Sequence, residues 1–434
     1  MGIHRRWARA ARPAGLAAAT MGLVLGALQV DASSVGAATY TPGYQYAKYV
    51  GGTGKANPKL SPVVVGVVNQ QGGTEAVAPE WTTGAEIAVK HINQHTGGID
   101  GHPLRIVTCF IPDTVSSATT CGQKFANTKA IAQVSAGAIF IGNQALESAI
   151  LPTKKPIFFG VSLSPVDTTY AYGYILYGDV SHVQAPIATF AKQYLHVKSV
   201  SITYPNIPAE VNAASIVRRA LQFEGIKTIY SVGFDPSATD LTTPFEAAHV
   251  GSTSLLMALN SGGPACSDTY LTLKQLGVKA KVLANVPCVT PAIAKADGGQ
   301  LPPGWYYASA NPLPGDKSDP SVSAFQHVAT EYGYPALGPD AWTADSFGQM
   351  LTIAKLDTAI LKHRAPISPT TVNLAAKAFK GPVVQGAPNL NCGGFKGAPA
   401  VCNDKVSFFQ STAPGVMKPI AYYLGPPKGF RVTG

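Results

Sequence analysis

The 434-residue chain is long for one hydrophobic core, so two domains of ordinary size are expected. Charged residues make up only 13% and apolar residues 46%, which excludes a disordered chain and suits one with an extensive interior. The formal charge of +10 and the pI near 9.2 come without a basic run interleaved with aromatics, so they are read as a solvated surface and not as a nucleic-acid interface.

The amino terminus carries Arg5, Arg6, Arg9 and Arg12, then a nearly apolar run from Leu16 to Val30, then small residues from Ala32 to Ala38. That order predicts a secretory signal peptide over residues 1–38, cleaved after Ala37 or Ala38; the apolar run is slightly short for an uncleaved membrane anchor. No cysteine precedes Cys109, so the lipid-attachment cysteine of many exported proteins is absent. Six cysteines in an exported chain point to an oxidising compartment. Sequence allows many connectivities; pairing of neighbours is expected, Cys109 with Cys121, Cys266 with Cys288 and Cys392 with Cys402. Zinc is disfavoured for them, because no pair has CxxC spacing and no histidine lies close by.

After a Gly, Tyr and Pro-rich linker over 39–60, the β-branched run Val63 to Val68 reads as a strand buried on both faces. Pro79 opens a helix whose small and apolar residues Ala85, Ala88, Val89 and Ile92 recur at helical spacing. Gly97 and Gly98 supply its stop, and Asp100-Gly101 turns the chain into a strand from Leu104 to Phe110. Helical patterns near 117–132 and 145–151 alternate with strand candidates at Ala138–Ile141 and Ile157–Val161. The tyrosines at 170, 172, 174 and 177 alternate and are read as sheet packing. After 182 the alternation restarts: helix 183–196, strand Ser199–Tyr204, helix 209–224, strands Lys227–Val232 and Ser254–Leu259, helix 267–276 and a strand near Lys281–Leu283. A strand near Trp305–Ala308 and helices near 321–332 and 340–362 follow. Two successive doubly wound α/β units, each with a parallel sheet, are therefore expected.

The run Gly84, Ala85, Ala88, Ile92, Asn93, Gly97, Gly98, Ile99 and Gly101 resembles the first helix and following strand of type I periplasmic binding proteins, the family of branched-chain amino-acid receptors serving ABC importers. The resemblance extends loosely over 61–425. It implies two Rossmann-like lobes joined by a hinge of three crossings, near 180, 310 and 366. Lobe one would be 61–180 with 311–365, lobe two 181–310 with 366–425, and 426–434 a tail. It further implies an exported, non-enzymatic binding protein without cofactor, acting as a monomer and delivering a small solute to an ABC transporter permease by closing its lobes. A rival is a ligand-sensing ectodomain-like protein working with a separate membrane signalling partner. Neither GxSxG nor HExxH is present, which argues against a hydrolase.

Ligands of open parallel sheets bind beyond the carboxyl ends of the strands. Three loops of the first unit lie there: Gln70, Gly72 and Thr74; Asn143, Gln144 and Ala145; and Ser162, Leu163 and Ser164. Backbone N–H groups and hydroxyls at such loops suit a carboxylate. The resemblance implies that role for Ser162 and Ser164, whereas Asn143, Gln144 and Ala145 replace the serine-rich run of the amino-acid receptors. Tyr204, Asn206 and Asn285 are the corresponding candidates in lobe two. The loop Ala284 to Cys288 lacks the acid that holds an α-ammonium in the family, which points away from an ordinary α-amino acid; the expected solute class is an amino acid, an amide or a small carboxylate, and Asp179, Asp235 and Asp268, which could substitute for the acid, are read as solvated surface acids. His91 and His95 lie one helical turn apart, but Ile92 stands where a zinc-protease helix needs glutamate, and they are read as surface histidines.

Overall fold

Continuous β-branched sequence and Pro-opened helices build two sheets in the computed structural model, which describes residues 45–73, 78–260 and 262–432. The first sheet contains β1 (Val63–Gln70), β2 (Leu104–Ile111), β3 (Ile131–Ala136), β4 (Ile157–Phe159) and β5 (Gly173–Ile175), all parallel, in the order β2-β1-β3-β4-β5. The second contains β6 (Ser199–Pro205), β7 (Thr228–Phe234), β8 (Leu255–Ala258), β9 (Lys281–Asn285), β10 (Tyr306–Ser309), β11 (Val406–Ala413) and β12 (Val416–Leu424), in the order β12-β11-β10-β9-β8-β6-β7. β6 to β10 are parallel, and β11 and β12 add an antiparallel edge. Strand order reverses between β1 and β3 in one sheet and between β6 and β8 in the other, and these reversals are the places where a crevice opens.

The helix Pro79–His95 has Pro at its start, Glu80 in its first turn, and Ala85, Ile87, Ala88 and Ile92 buried on one face. It lies so close to the helix Ala341–Lys362 that a Cβ on Gly84 would stand 2.3 Å from the Thr343 carbonyl oxygen. Gly97 and Gly98 take left-handed φ values of 78° and 68°, which stop the helix. Asn93 then clamps the turn to β2: its Nδ2 donates to the Leu104 carbonyl at 2.9 Å and its Oδ1 accepts from the Leu104 amide at 2.7 Å.

Several expectations need correction. The third strand is Ile131–Ala136, not Ala138–Ile141, and the helix before it stops at Asn127. Gly137 follows the strand end, where a side chain would meet both Asn69 Oδ1 and Trp81 Cδ1 at 2.7 Å. The segment 366–402, expected in lobe two, packs on the first sheet. Val372 and Ala376 of the helix Pro369–Ala378, with Val383, Val384 and Leu390, share a core with Val65, Phe158 and Phe347. The Ile175 amide donates to the Ala400 carbonyl and the Cys402 amide donates to the Ile175 carbonyl. The passage back to the second sheet therefore falls just before β11, not near 366. The expected linker contains a helix, Tyr46–Val50, whose Tyr46, Tyr49 and Val50 enter the first lobe's core. In the expected tail, Phe430 and Val432 pack on the second.

The three expected disulfides form: Cys109–Cys121, Cys266–Cys288 and Cys392–Cys402. No helix among the described residues is long and apolar enough to cross a membrane. The expected signal peptide lies outside the described residues.

Candidate functional site

The loops beyond the carboxyl ends of the first sheet carry the polar residues that the sequence singles out, and most of those side chains bond to one another. Gln70 is fully buried; its Oε1 accepts from the Phe140 and Ile141 amides at 2.8 and 3.1 Å, and its Nε2 donates to Asp113 at 3.2 Å. It braces the β1 and β3 loops. Gly72 is exposed with φ 88°, with no atom near the position of a Cβ. Thr74 lies outside the described residues.

Asn143, Ser162 and Ser164 converge on one buried carboxylate that the sequence reading did not single out. Asp167 accepts from Asn143 Nδ2 at 3.0 Å, from Ser162 Oγ at 2.9 Å and from the Ser164 amide at 3.3 Å. Ser164 caps the short helix Pro165–Thr169 with Asp167 at its third position, a capping box. Glu147 stands beside it, pushed up to about 10 by burial and then by the bond and charge of Asp167, so this pair carries a proton at neutral pH. Burial raises Asp167 as well, while its hydrogen bonds oppose that rise. Gln144 is exposed, Ala145 half-buried, and Leu163 packs against Trp81 and its apolar neighbours.

In the second lobe, Asn285 joins two strand ends: its Nδ2 donates to the Asn260 carbonyl at 2.8 Å and its Oδ1 accepts from the Asn260 amide at 3.1 Å. Asn260 Nδ2 donates in turn to Thr269 and to the sulfur of Cys288, so the Cys266–Cys288 bridge lies directly beneath this rim. Tyr204 packs partly into the second core, and Asn206 is exposed over Gly233.

What the sequence did not reveal is the apolar surface joining these loops. Trp81, Ala138, Phe140, Ala209 and Trp342 form one buried cluster with Ile141, Val161, Leu163, Ile207 and Val286 around it. Its members come from loops after β3, β4, β6 and β9 and from the first turns of three helices, so both lobes contribute. Trp81 and Trp342 follow the Pro79 and Asp340 helix starts, which is the one signal that would have found them.

Unpartnered polar atoms adjoin this cluster. Glu210, next to Ala209 in the first turn of the helix Pro208–Phe223, is buried with Oε2 lacking a partner, and burial pushes it up to about 7. It is an acid of the second lobe, where the loop at 284–288 has none. Asp340 caps the helix carrying Trp342 through the Thr343 amide at 2.7 Å, leaves Oδ2 without a partner, and is pushed up to about 7, chiefly by burial. Asp345, bonded by Asn311, is raised well above the carboxylate range by burial. Trp81 Nε1 also has no partner. Of the substitute acids considered, Asp179 caps the helix Val180–Gln193 and bonds His182 at 2.7 Å, Asp235 bonds Ser237, and burial raises Asp268.

An open depression of about 530 Å³ beside Lys274, Lys279, Trp305 and Tyr306 lies at the amino ends of β9 and β10, away from these loops. Among the described residues, the arrangement at the carboxyl ends shows no nucleophile with an organised base. It can hold a small molecule by an apolar body and a polar head.

Two lobes of this topology, meeting through loops at the strand carboxyl ends, define a two-lobed binding protein. Residues 62–387 match the model of the periplasmic binding protein family, and the chain belongs to that family. No curated protein sequence matches it. Among solved structures it is similar in fold to a leucine-binding protein from Thermotoga maritima, at 16% identity, covering 86% of this chain and all of that one with a TM-score of 0.66. A fatty acid ABC transporter substrate-binding protein from Thermomonospora curvata superposes at 12% identity over 88% of this chain and 97% of its own, TM-score 0.72. An ABC transporter solute-binding protein from Rhodopseudomonas palustris, in complex with p-hydroxybenzoic acid, does so at 14% identity over 85% and 99%, TM-score 0.68.

Proposed function

We propose that the chain is an extracytoplasmic solute-binding protein that captures a small molecule between its lobes and delivers it, as a monomer, to an ABC importer permease. The observation that carries this reading is the apolar cluster built from the strand-end loops of both lobes, around Trp81, Phe140 and Trp342. Because both lobes contribute, only a solute satisfying both favours the closed form. The solute is an amino acid, an amide or a small carboxylate, with an apolar or aromatic body set against the two tryptophans. Glu210 is the partner for an ammonium or amide N–H. The fold neighbours support this class: leucine, a fatty acid and p-hydroxybenzoic acid each join an apolar body to a carboxyl group.

A melting-temperature screen of the chain against aliphatic and aromatic amino acids, their amides and the matching carboxylic acids tests the reading. A ligand at about 100 times its dissociation constant contributes about 2.7 kcal/mol, a shift of a few degrees. A shift with amino acids that vanishes in Glu210→Gln supports the ammonium assignment, and a shift with carboxylic acids alone limits the class to those. No shift with any member of the panel overturns the solute class.

A further inference from the structure

The two histidines one turn apart on Pro79–His95 meet a third candidate ligand that sequence spacing could not show. Glu331, the last residue of the helix Pro320–Glu331, brings Oε1 to 3.0 Å from His95 Nε2. The His91 and His95 rings lie 5.0 Å apart, tilted by 32°. One ligand atom from each of His91, His95 and Glu331 lies within 4.8 Å of the others, a grouping found nowhere else among the described residues. We propose that these three residues form a binding site for a divalent transition ion, with Zn²⁺ as the favoured occupant.

The geometry needs only small movements. Tetrahedral zinc with bonds of about 2.0–2.1 Å places its ligand atoms about 3.3 Å apart. The His95–Glu331 separation already meets that, and both side chains are exposed, at 46% and 38%, and free to rotate toward the third ligand. His91 is the fixed member. It is buried, its Nδ1 has no hydrogen-bond partner, and Tyr46, Phe347 and Tyr332 stand edge-on around its ring at 5.4, 5.8 and 6.4 Å. Two imidazoles and one carboxylate select zinc, copper or nickel over magnesium and calcium, which prefer all-oxygen shells. A fourth position remains for water. The site lies about 15 Å along the helix from Trp81, so it is separate from the apolar cluster. The ion would replace the His95–Glu331 hydrogen bond and fasten together two helix ends of the first lobe.

The test is calorimetric titration of the tag-free, chelator-treated chain with Zn²⁺ alone, with Mg²⁺ as control. One Zn²⁺ per chain and a raised Tm are expected. His95→Gln and Glu331→Gln, both at exposed positions, are each expected to weaken binding about tenfold or more while leaving the metal-free Tm unchanged. Absence of zinc binding, equal binding of Mg²⁺, or zinc affinity unaltered in both variants would overturn the site.

Discussion

The rims of the two lobes differ in how their polar groups are used. On the first lobe, Asp167 gathers Asn143, Ser162 and the Ser164 amide, and Gln70 is bound to Asp113 and the Phe140 and Ile141 amides, while Asn69 Oδ1, Glu147 Oε1 and Trp81 Nε1 stay without partners. On the second lobe and at the start of the helix Ala341–Lys362, Glu210, Asp340 and Asp345 are buried with an oxygen left unpartnered. A buried polar group without a partner costs about 1–3 kcal/mol, so a fold retains one chiefly where something else satisfies it. The difference teaches that the loop residues around Asp167 serve one another, whereas Glu210 on the second lobe and the start of the helix Ala341–Lys362 on the first keep acceptors that the proposed function would use.

The comparison breaks most directly at Asp167. Asp167→Ala leaves Asn143, Ser162 and Glu147 without their common partner, and we expect a loss of about 3–5 kcal/mol in urea unfolding; an unchanged midpoint would show that the loop residues around Asp167 do not serve one another. Next in size is the bridge beneath the second rim. Cys266→Ser with Cys288→Ser is expected to cost about 2–4 kcal/mol and to weaken ligand binding, because Asn260 and Asn285 lose their footing. Glu210→Gln sharpens the contrast: at acid pH, where the buried carboxyl is protonated in folded and unfolded chains alike, it leaves the stability of the free chain within about 0.5 kcal/mol of the parent, and it weakens ligand binding about tenfold, read by titration.

The last contrast is in pH dependence. Burial pushes Glu210, Asp340 and Asp357 up to about 7. Between the unfolded carboxylate range and pH 7 the folded chain therefore holds protons that the unfolded chain releases. Their stabilising contribution is fully present below the unfolded values and is lost as pH rises through the folded ones. The Tm of the free chain should be higher at pH 5 than at pH 8 by a few degrees, and the gap should narrow in Glu210→Gln.

Much of the fold was legible because local signals agreed. Pro79, the helical spacing up to Ile92 and the glycine pair at 97 and 98 all mark one helix, and Asn93 explains why the motif continues into β2. The third strand was misplaced because Ile131 to Ile141 is apolar or small almost throughout, and no periodicity locates its end. Just past that end Trp81 approaches Gly137, a tertiary fact. The β11–β12 hairpin was missed although Pro414-Gly415 marks its turn. At the site, sequence led to polar loops and passed over Phe140 and Trp342, since an apolar residue in a loop carries no local mark of facing a partner lobe.

The path of 366–402 across the first sheet, followed by β11 and β12 on the second, fixes the order in which this chain can become solid. The interior of the first lobe is incomplete until Ala400 and Cys402 reach Ile175, and that of the second until Phe408 and Ala421 reach Phe190 and Ile202. A ribosome that has passed residue 390 but not 402 has therefore finished neither half. Truncation before about residue 402 leaves neither lobe intact, and truncation between there and about residue 424 leaves the first lobe closed and the second unfinished.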